Sequence, residues 1–125
     1  MGSEKSGGAL EGLRVLDLTR ILAGPLCGQM LGDMGADVIK VEPPGSGDDT
    51  RTWGPPFVNG ESAYFLGINR NKRSLTLNMA SKAGQEILAS LIKKSDVVVE
   101  NFKLGTLEKW GITNEWLEKN APRVI

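Results

Sequence analysis

The chain has 125 residues, 40% of them hydrophobic and 24% charged, a balance that suits one globular domain with a modest core and excludes a disordered tail. Lys plus Arg total 15 and Asp plus Glu total 15, so no global basic field exists to hold a nucleic-acid backbone, and no nucleic-acid partner is expected. Histidine is absent and cysteine occurs once, at Cys27, which removes the usual general base, the His-activated nucleophiles, an internal disulfide and a zinc site.

Residues 1–12 are rich in Gly and Ser and are expected to form a flexible leader; Gly2 and Ser6 fit a loose myristoylation pattern as well as a plain leader. Residues 13–125 are expected to be the N-terminal part of an α/β domain. The apolar run 13–18 predicts a buried strand. Pro25 fits a helix start, and a helix to about Met34 follows. Gly24, Gly28 and Gly32 give that helix one smooth face, while Leu26, Met30, Leu31 and Met34 supply apolar bulk. Gly35 stands where a left-handed residue is wanted, and Asp37 to Glu42 predicts the second strand, completing a βαβ unit.

Paired prolines and glycines from Pro43 onward predict an irregular excursion running past Arg51, Trp53 and Pro56. A short helix is expected over 62–69 and a third strand over 74–78. Ser81 predicts the cap of a helix with Ile87, Leu88, Leu91 and Ile92 at helical spacing. Asp96 to Asn101 predicts a fourth strand, 104–110 and 113–119 two short helices, the second capped by Thr113, and Arg123 to Ile125 the opening of a fifth strand.

This order predicts an α/β fold with a partial doubly wound parallel sheet, Rossmann-like and truncated, because both faces of such a sheet need cover and a fifth strand would stand unflanked. As an unfinished sheet it is expected to aggregate or to remain molten in isolation, through Val97 to Val99 and Val124-Ile125. No run approaches the ~20 apolar residues of a membrane helix, so no membrane partner is expected. One thiol suits a reducing compartment: cytoplasmic, with the mitochondrial matrix as the other choice.

Ligands of open parallel sheets bind beyond the carboxyl ends of the strands, so the loops after residues 18, 42, 78 and 101 are the candidate site. They offer amides, a flat apolar surface and scattered cations, which suits an adenine nucleotide. The stretch Gly24-Pro25-Leu26-Cys27-Gly28 is not the G-x-G-x-x-G of dinucleotide binders. Glu42 can mimic their ribose-binding acid, or it can anchor a loop while the glycines serve helix packing. Asp48, Asp49 and Arg51 read as turn residues or as a metal or phosphate site, the former favoured. Arg70, Lys72 and Arg73 read as phosphate ligands or as a solvated connector. The three tryptophans read as packing anchors, and Cys27 as buried filler rather than nucleophile.

Read together, LEGLRVLDLTRILAGP (10–25), GDMGADVIKVEPPGSGDDTR (32–51), NRNKRSLTLN (69–78) and DVVVENFKLGTLEKWGI (96–112) resemble the N-terminal segment of the class III CoA-transferases, the formyl-CoA transferase, carnitine CoA-transferase and methylacyl-CoA racemase family. The stretch from Gly47 to Ser74 looks most like the succinyl-CoA:dicarboxylate branch, of the glutarate type. The resemblance implies a CoA-binding domain in an interlocked homodimer, with a coenzyme A thioester and a small carboxylic acid as substrates and no metal or other cofactor. Ile21 and Leu22 would border the CoA, Leu77 and Asn78 its adenosine, and Asn101, Phe102 and Lys103 its pantetheine or diphosphate, with Lys109 near phosphate. Formyl-CoA transferases carry an arginine where this chain has Pro43, and Arg51 or the run from Arg70 to Arg73 would supply that charge. The family's catalytic aspartate matches no residue here and is expected beyond residue 125, so the chain alone is expected to be inactive. A non-catalytic nucleotide-binding or interaction module and a racemase-type relative are the alternative readings.

Overall fold

The computed structural model describes residues 7–125. The Gly2 and Ser6 of the myristoylation pattern lie outside the described residues. Four parallel strands, β1 (Arg14–Asp17), β2 (Asp37–Glu42), β5 (Lys72–Thr76) and β6 (Val97–Val99), form one sheet in the order β5-β2-β1-β6. Numbered among the parallel strands alone, that order is third, second, first, fourth, the winding of a Rossmann half-sheet. A two-stranded hairpin, β3 (Phe57–Val58) with β4 (Glu61–Ser62), sits in the excursion between β2 and β5.

The helices are α1 (Ala23–Asp33), α2 (Ala63–Ile68), α3 (Lys82–Lys93), α4 (Thr106–Lys109) and α5 (Asn114–Asn120). Caps fix where three of them start. Ser62 accepts from the Phe65 N–H, Ser81 from Gly84 and Thr113 from Trp116, each satisfying a donor the helix leaves open. Ser81 and Thr113 are the caps the sequence predicts.

The sheet has one dry face and one ionic face. Leu16, Leu18 and Val41 pack against Leu88 and Ile92 of α3, with Ile112 and Ala121 completing the cluster. The opposite face alternates into Val15 and Val38 at one end and Asp17, Lys40 and Glu42 at the other, all buried. Against this face lies α1, and it lies there glycines first. A Cβ on Gly24 would meet Thr19 at 2.3 Å, and one on Gly28 would meet Asp17 Oδ2 at 2.7 Å, so both positions require the missing side chain. The helix therefore turns Leu26, Met30 and Met34 outward, where they are exposed along with Cys27. The expectation that Cys27 is buried filler is corrected: the sheet, not a ligand, takes the smooth face, and the thiol is left outside.

Three more boundaries differ from expectation. The third strand begins at Lys72 rather than Ser74, because Lys72 and Arg73 pair with Val38 and Ile39 in the ladder. Residues 8–12, expected in the leader, turn back onto the end of α1: the Leu10 N–H donates to the Met34 carbonyl at 2.9 Å. The expected opening of a fifth strand is seen at Ile125 rather than from Arg123. Val124 still donates to Ala121 in a turn, and only Ile125 makes a parallel pair with β6, accepting from Val98 at 2.9 Å and donating to Asp96 at 3.1 Å. The hairpin was not expected; Asn59 and Gly60, both at positive φ (51° and 83°), are its turn.

Candidate functional site

The buried charges on the ionic face hold the loops at the carboxyl rim. Lys72 Nζ donates to Asp17 Oδ2 at 2.8 Å, to the Pro25 carbonyl at 2.7 Å and to Asn69 Oδ1 at 2.9 Å. Burial pulls its ammonium below the usual lysine value, despite the Asp17 carboxylate beside it. Asp17 also accepts from the Thr19 N–H and hydroxyl, fixing the first residues after β1. Lys40 Nζ reaches the Thr19 carbonyl at 3.0 Å and Asp48 Oδ2 at 2.9 Å. Burial pushes the Asp48 carboxyl up, but Lys40 and the N–H and hydroxyl of Thr50 outweigh it and hold the group below the ordinary carboxylate range.

Glu42 is the hub of the excursion. Arg51 forks onto both its oxygens at 2.7 Å, the Asp48 N–H donates at 2.9 Å and the Ser74 hydroxyl at 2.9 Å. Burial pushes this carboxyl up, and the four donated bonds bring it down to about 2 all the same. Arg51 further stacks on Phe65, 3.9 Å from the ring centre. The loop-anchoring reading of Glu42 is the one the structure shows. Asp48 is likewise a turn residue, capping the short 3-10 turn over 49–52.

The order of the strands reverses between β1 and β6, and the turns that leave them meet there. Arg20 donates its N–H to Asn101 Oδ1 at 3.0 Å, and Asn101 Nδ2 donates back to the Arg20 carbonyl at 2.8 Å. The next residue, Ile21, has φ 74°, left-handed space that costs a β-branched residue roughly 1–2 kcal/mol. Arg20, Ile21, Leu22, Ala23 and Asn101 line a hollow of about 230 Å³ at this point. Arg20 also walls a second, mostly apolar pocket of about 430 Å³, shared with Pro43, Leu77, Asn78, Met79, Phe102, Lys103 and Trp110.

That pocket is a wedge of flat surfaces with a few polar tips. Phe102 and Trp110 meet edge to face, centroids 5.3 Å apart. The Asn78 turn is set by α3: its carbonyl accepts from the Ser81 hydroxyl, and a Cβ on Gly84 would stand 1.8 Å from that carbonyl oxygen. Asn78 Oδ1 takes the Ala80 N–H at 3.1 Å. Among the described residues neither Arg20 nor Lys103 enters an ion pair, so both charges are available to an anion. A third hollow, about 370 Å³ between Phe102, α4, α5 and Ile125, is lined by Glu100 and Glu108 as well as by Lys103, a net negative lining that disfavours a phosphate.

Of the residues singled out in the sequence, Ile21, Leu22 and Asn101 line the first pocket and Leu77, Asn78, Phe102 and Lys103 the second. Arg51 borders a separate polar hollow with Glu42, Gly45 and Thr76, its charge already engaged. Lys109 lies on α4 and lines neither switch-point pocket. The run from Arg70 to Arg73 divides: Arg70 and Arg73 are exposed, as a solvated connector would be, and Lys72 is not. Arg70 pairs with Asp33 and Arg73 with Asp37 at the amino ends of the strands, while Lys72 is buried on Asp17. Arg20 and Pro43, in the loops expected after residues 18 and 42, line the second pocket too, whereas Met79, Thr106 and Trp110 were not assigned to the site from the sequence.

Residues 10–125 match CoA-transferase family III. The chain is 55% identical over 116 residues to the succinyl-CoA:glutarate CoA-transferase of Mus musculus, covering 93% of this chain and 27% of that enzyme. It is 49% identical to the succinate–glutarate CoA-transferase of Agrobacterium fabrum, covering 93% and 30%. Among solved structures, a CAIB/BAIF family protein from Brucella suis superposes with a TM-score of 0.88 at 53% identity, over 95% of this chain and 32% of that one. The chain thus spans under a third of the length of these relatives.

Proposed function

Since the chain belongs to CoA-transferase family III, we propose that its switch-point pockets bind a coenzyme A thioester, as the CoA-binding portion of an acyl-CoA:carboxylate CoA-transferase. The carrying observation is that Arg20 joins two pockets at the reversal of strand order, one wide and apolar, the other reaching the Arg20–Asn101 clamp. An adenine fits the flat walls made by Leu77, Met79 and Trp110, with Asn78 offering amide bonds. Arg20 and Lys103 face the phosphates, while Arg51 is engaged by Glu42 and Lys109 lines neither pocket. Pantetheine then runs past Asn101 toward Ile21 and Leu22.

In this reading the parent enzyme moves CoA from a donor such as succinyl-CoA to a free dicarboxylate. An aspartate carboxylate attacks the thioester, giving a mixed anhydride and CoA thiolate, and the acceptor acid enters by exchange. No metal or redox cofactor is needed. None of Asp17, Asp33, Asp37, Asp48 and Asp49 corresponds to that nucleophile; Asp17 and Asp48 are buried in ion pairs and Asp33 and Asp37 are held by arginines. We place the working protein in an interlocked homodimer, in the cytoplasm or the mitochondrial matrix. Among the described residues no helix is long and apolar enough to cross a membrane.

Calorimetric titration of the chain, once a sharp reversible thermal transition shows it folded rather than molten, tests the reading. Saturable heat with CoA and with adenosine 3′,5′-bisphosphate is expected, and none with NAD. A chain that binds NAD, or neither CoA nor its adenosine fragment, overturns it. Exchange of labelled succinate into succinyl-CoA by the chain alone would contradict the placement of the nucleophile elsewhere.

A further inference from the structure

We propose that Lys40 is a positioning residue for the pocket rim: its buried ammonium fixes the Thr19 carbonyl and ties the loop after β1 to the loop after β2. The inference rests on the CoA reading for its ligand, but the geometry stands by itself. Lys40 is 1% exposed, in the interior of a strand where Val or Ile would pack without desolvating a charge. A buried ion pair rarely adds stability over a hydrophobic pair of similar volume, so stability does not account for Lys40 and Asp48. What the pair adds is direction.

Thr19 is held from both sides. Its N–H and hydroxyl are on Asp17 and its carbonyl is on Lys40 at 3.0 Å. Arg20 is then clamped by Asn101, and Ile21 follows in left-handed space. A strained residue of that kind persists only where its surroundings over-determine it, and Lys40 supplies one of the determinants two residues upstream. Its ion pair with Asp48, Nζ to Oδ2 2.9 Å, reaches the loop that carries Pro43 into the wider pocket. Asp48 is in turn fixed through Thr50 and through its own N–H on Glu42. The two loops on either side of the pocket mouth are therefore referred to one ammonium.

Removing Lys40 alone would strand the buried Asp48 carboxylate, so the test uses the paired variant Lys40→Met with Asp48→Asn, which removes both charges at near-constant volume. Three quantities are read on the whole chain: thermal midpoint, the amide resonances of Arg20, Ile21 and the Asn101 side chain, and CoA affinity. The paired variant is expected to melt near the wild type and to keep the resonances of Leu88 and Ile92 on the other face. Its Arg20, Ile21 and Asn101 resonances should shift, and CoA affinity should fall about tenfold, the effect of one lost oriented hydrogen bond. A folded variant with those resonances and that affinity unchanged overturns the proposal, as does a shift without loss of affinity. If the paired variant does not fold, Lys40→Arg, which keeps the charges and displaces the donor, carries the same readouts. Failure of the wild type itself to bind CoA falls on the functional reading, and the resonances then decide the role of Lys40.

Discussion

The side chain of Asn101 holds the backbone of Arg20 by both of its polar groups, accepting from the N–H at 3.0 Å and donating to the carbonyl at 2.8 Å. Two turns 81 residues apart in sequence are thereby fastened into one rim.

Asn101→Ala removes both bonds and is expected to cost roughly 1–2 kcal/mol of stability with a several-fold loss of CoA affinity. Asn101→Asp keeps the acceptor, loses the donor and places a carboxylate beside Arg20, whose charge the proposed phosphates need, so it should bind CoA more weakly than the alanine variant. Equal affinities in a titration would show that the carboxylate is remote from the bound anion.

Ile21→Gly relieves the left-handed backbone and is expected to raise stability by about 1 kcal/mol, measured by denaturant unfolding. The same change strips the wall of the hollow beside Leu22. A variant both more stable and weaker in CoA binding is the expected pair of results.

Gly28→Ala and Gly67→Ala should separate sharply. The first puts a methyl 2.7 Å from Asp17 Oδ2 and pushes α1 off the sheet, while the second meets nothing within 4 Å in helix α2. Expected changes are a loss of about 2–3 kcal/mol and a gain of up to about 1 kcal/mol respectively, read from urea midpoints.

Glu42 makes stability acid-sensitive. Its folded value of about 2 lies below the unfolded value of 4.5, so its contribution is complete above pH 4.5 and is lost as pH falls toward 2. Arg51 is part-exposed, which screens the pair, and the contribution is on the order of 2 kcal/mol. Glu42→Gln should lower stability at neutral pH and flatten its dependence between those two values in denaturation series.

Cys27 should react with a thiol reagent in the folded state at close to the rate of the urea-unfolded chain, since it is exposed on α1. A large protection factor would restore the buried reading.

Much of this was legible in the chain. The alternation of short apolar runs with capped helical patterns gave the parallel sheet, and Ser81 and Thr113 gave two helix starts. Loops after strand ends pointed to seven residues that line the switch-point pockets. The failures share a cause. Lys72, Lys40, Asp17 and Asp48 are charged residues that are buried because they neutralise one another across strands and loops, and pattern reading assigns charge to solvent. The pairing of Arg51 with Glu42, nine positions away, is likewise invisible until the excursion folds back.

Helix α1 carries its bulk on the outside, and this offers a handle for protein engineering. Leu26, Met30 and Met34 stand four residues apart on one exposed ridge and do not belong to either core cluster. Replacing them with glutamine or lysine should improve solubility without touching the fold, a tolerance that a conventional amphipathic helix reserves for its polar positions.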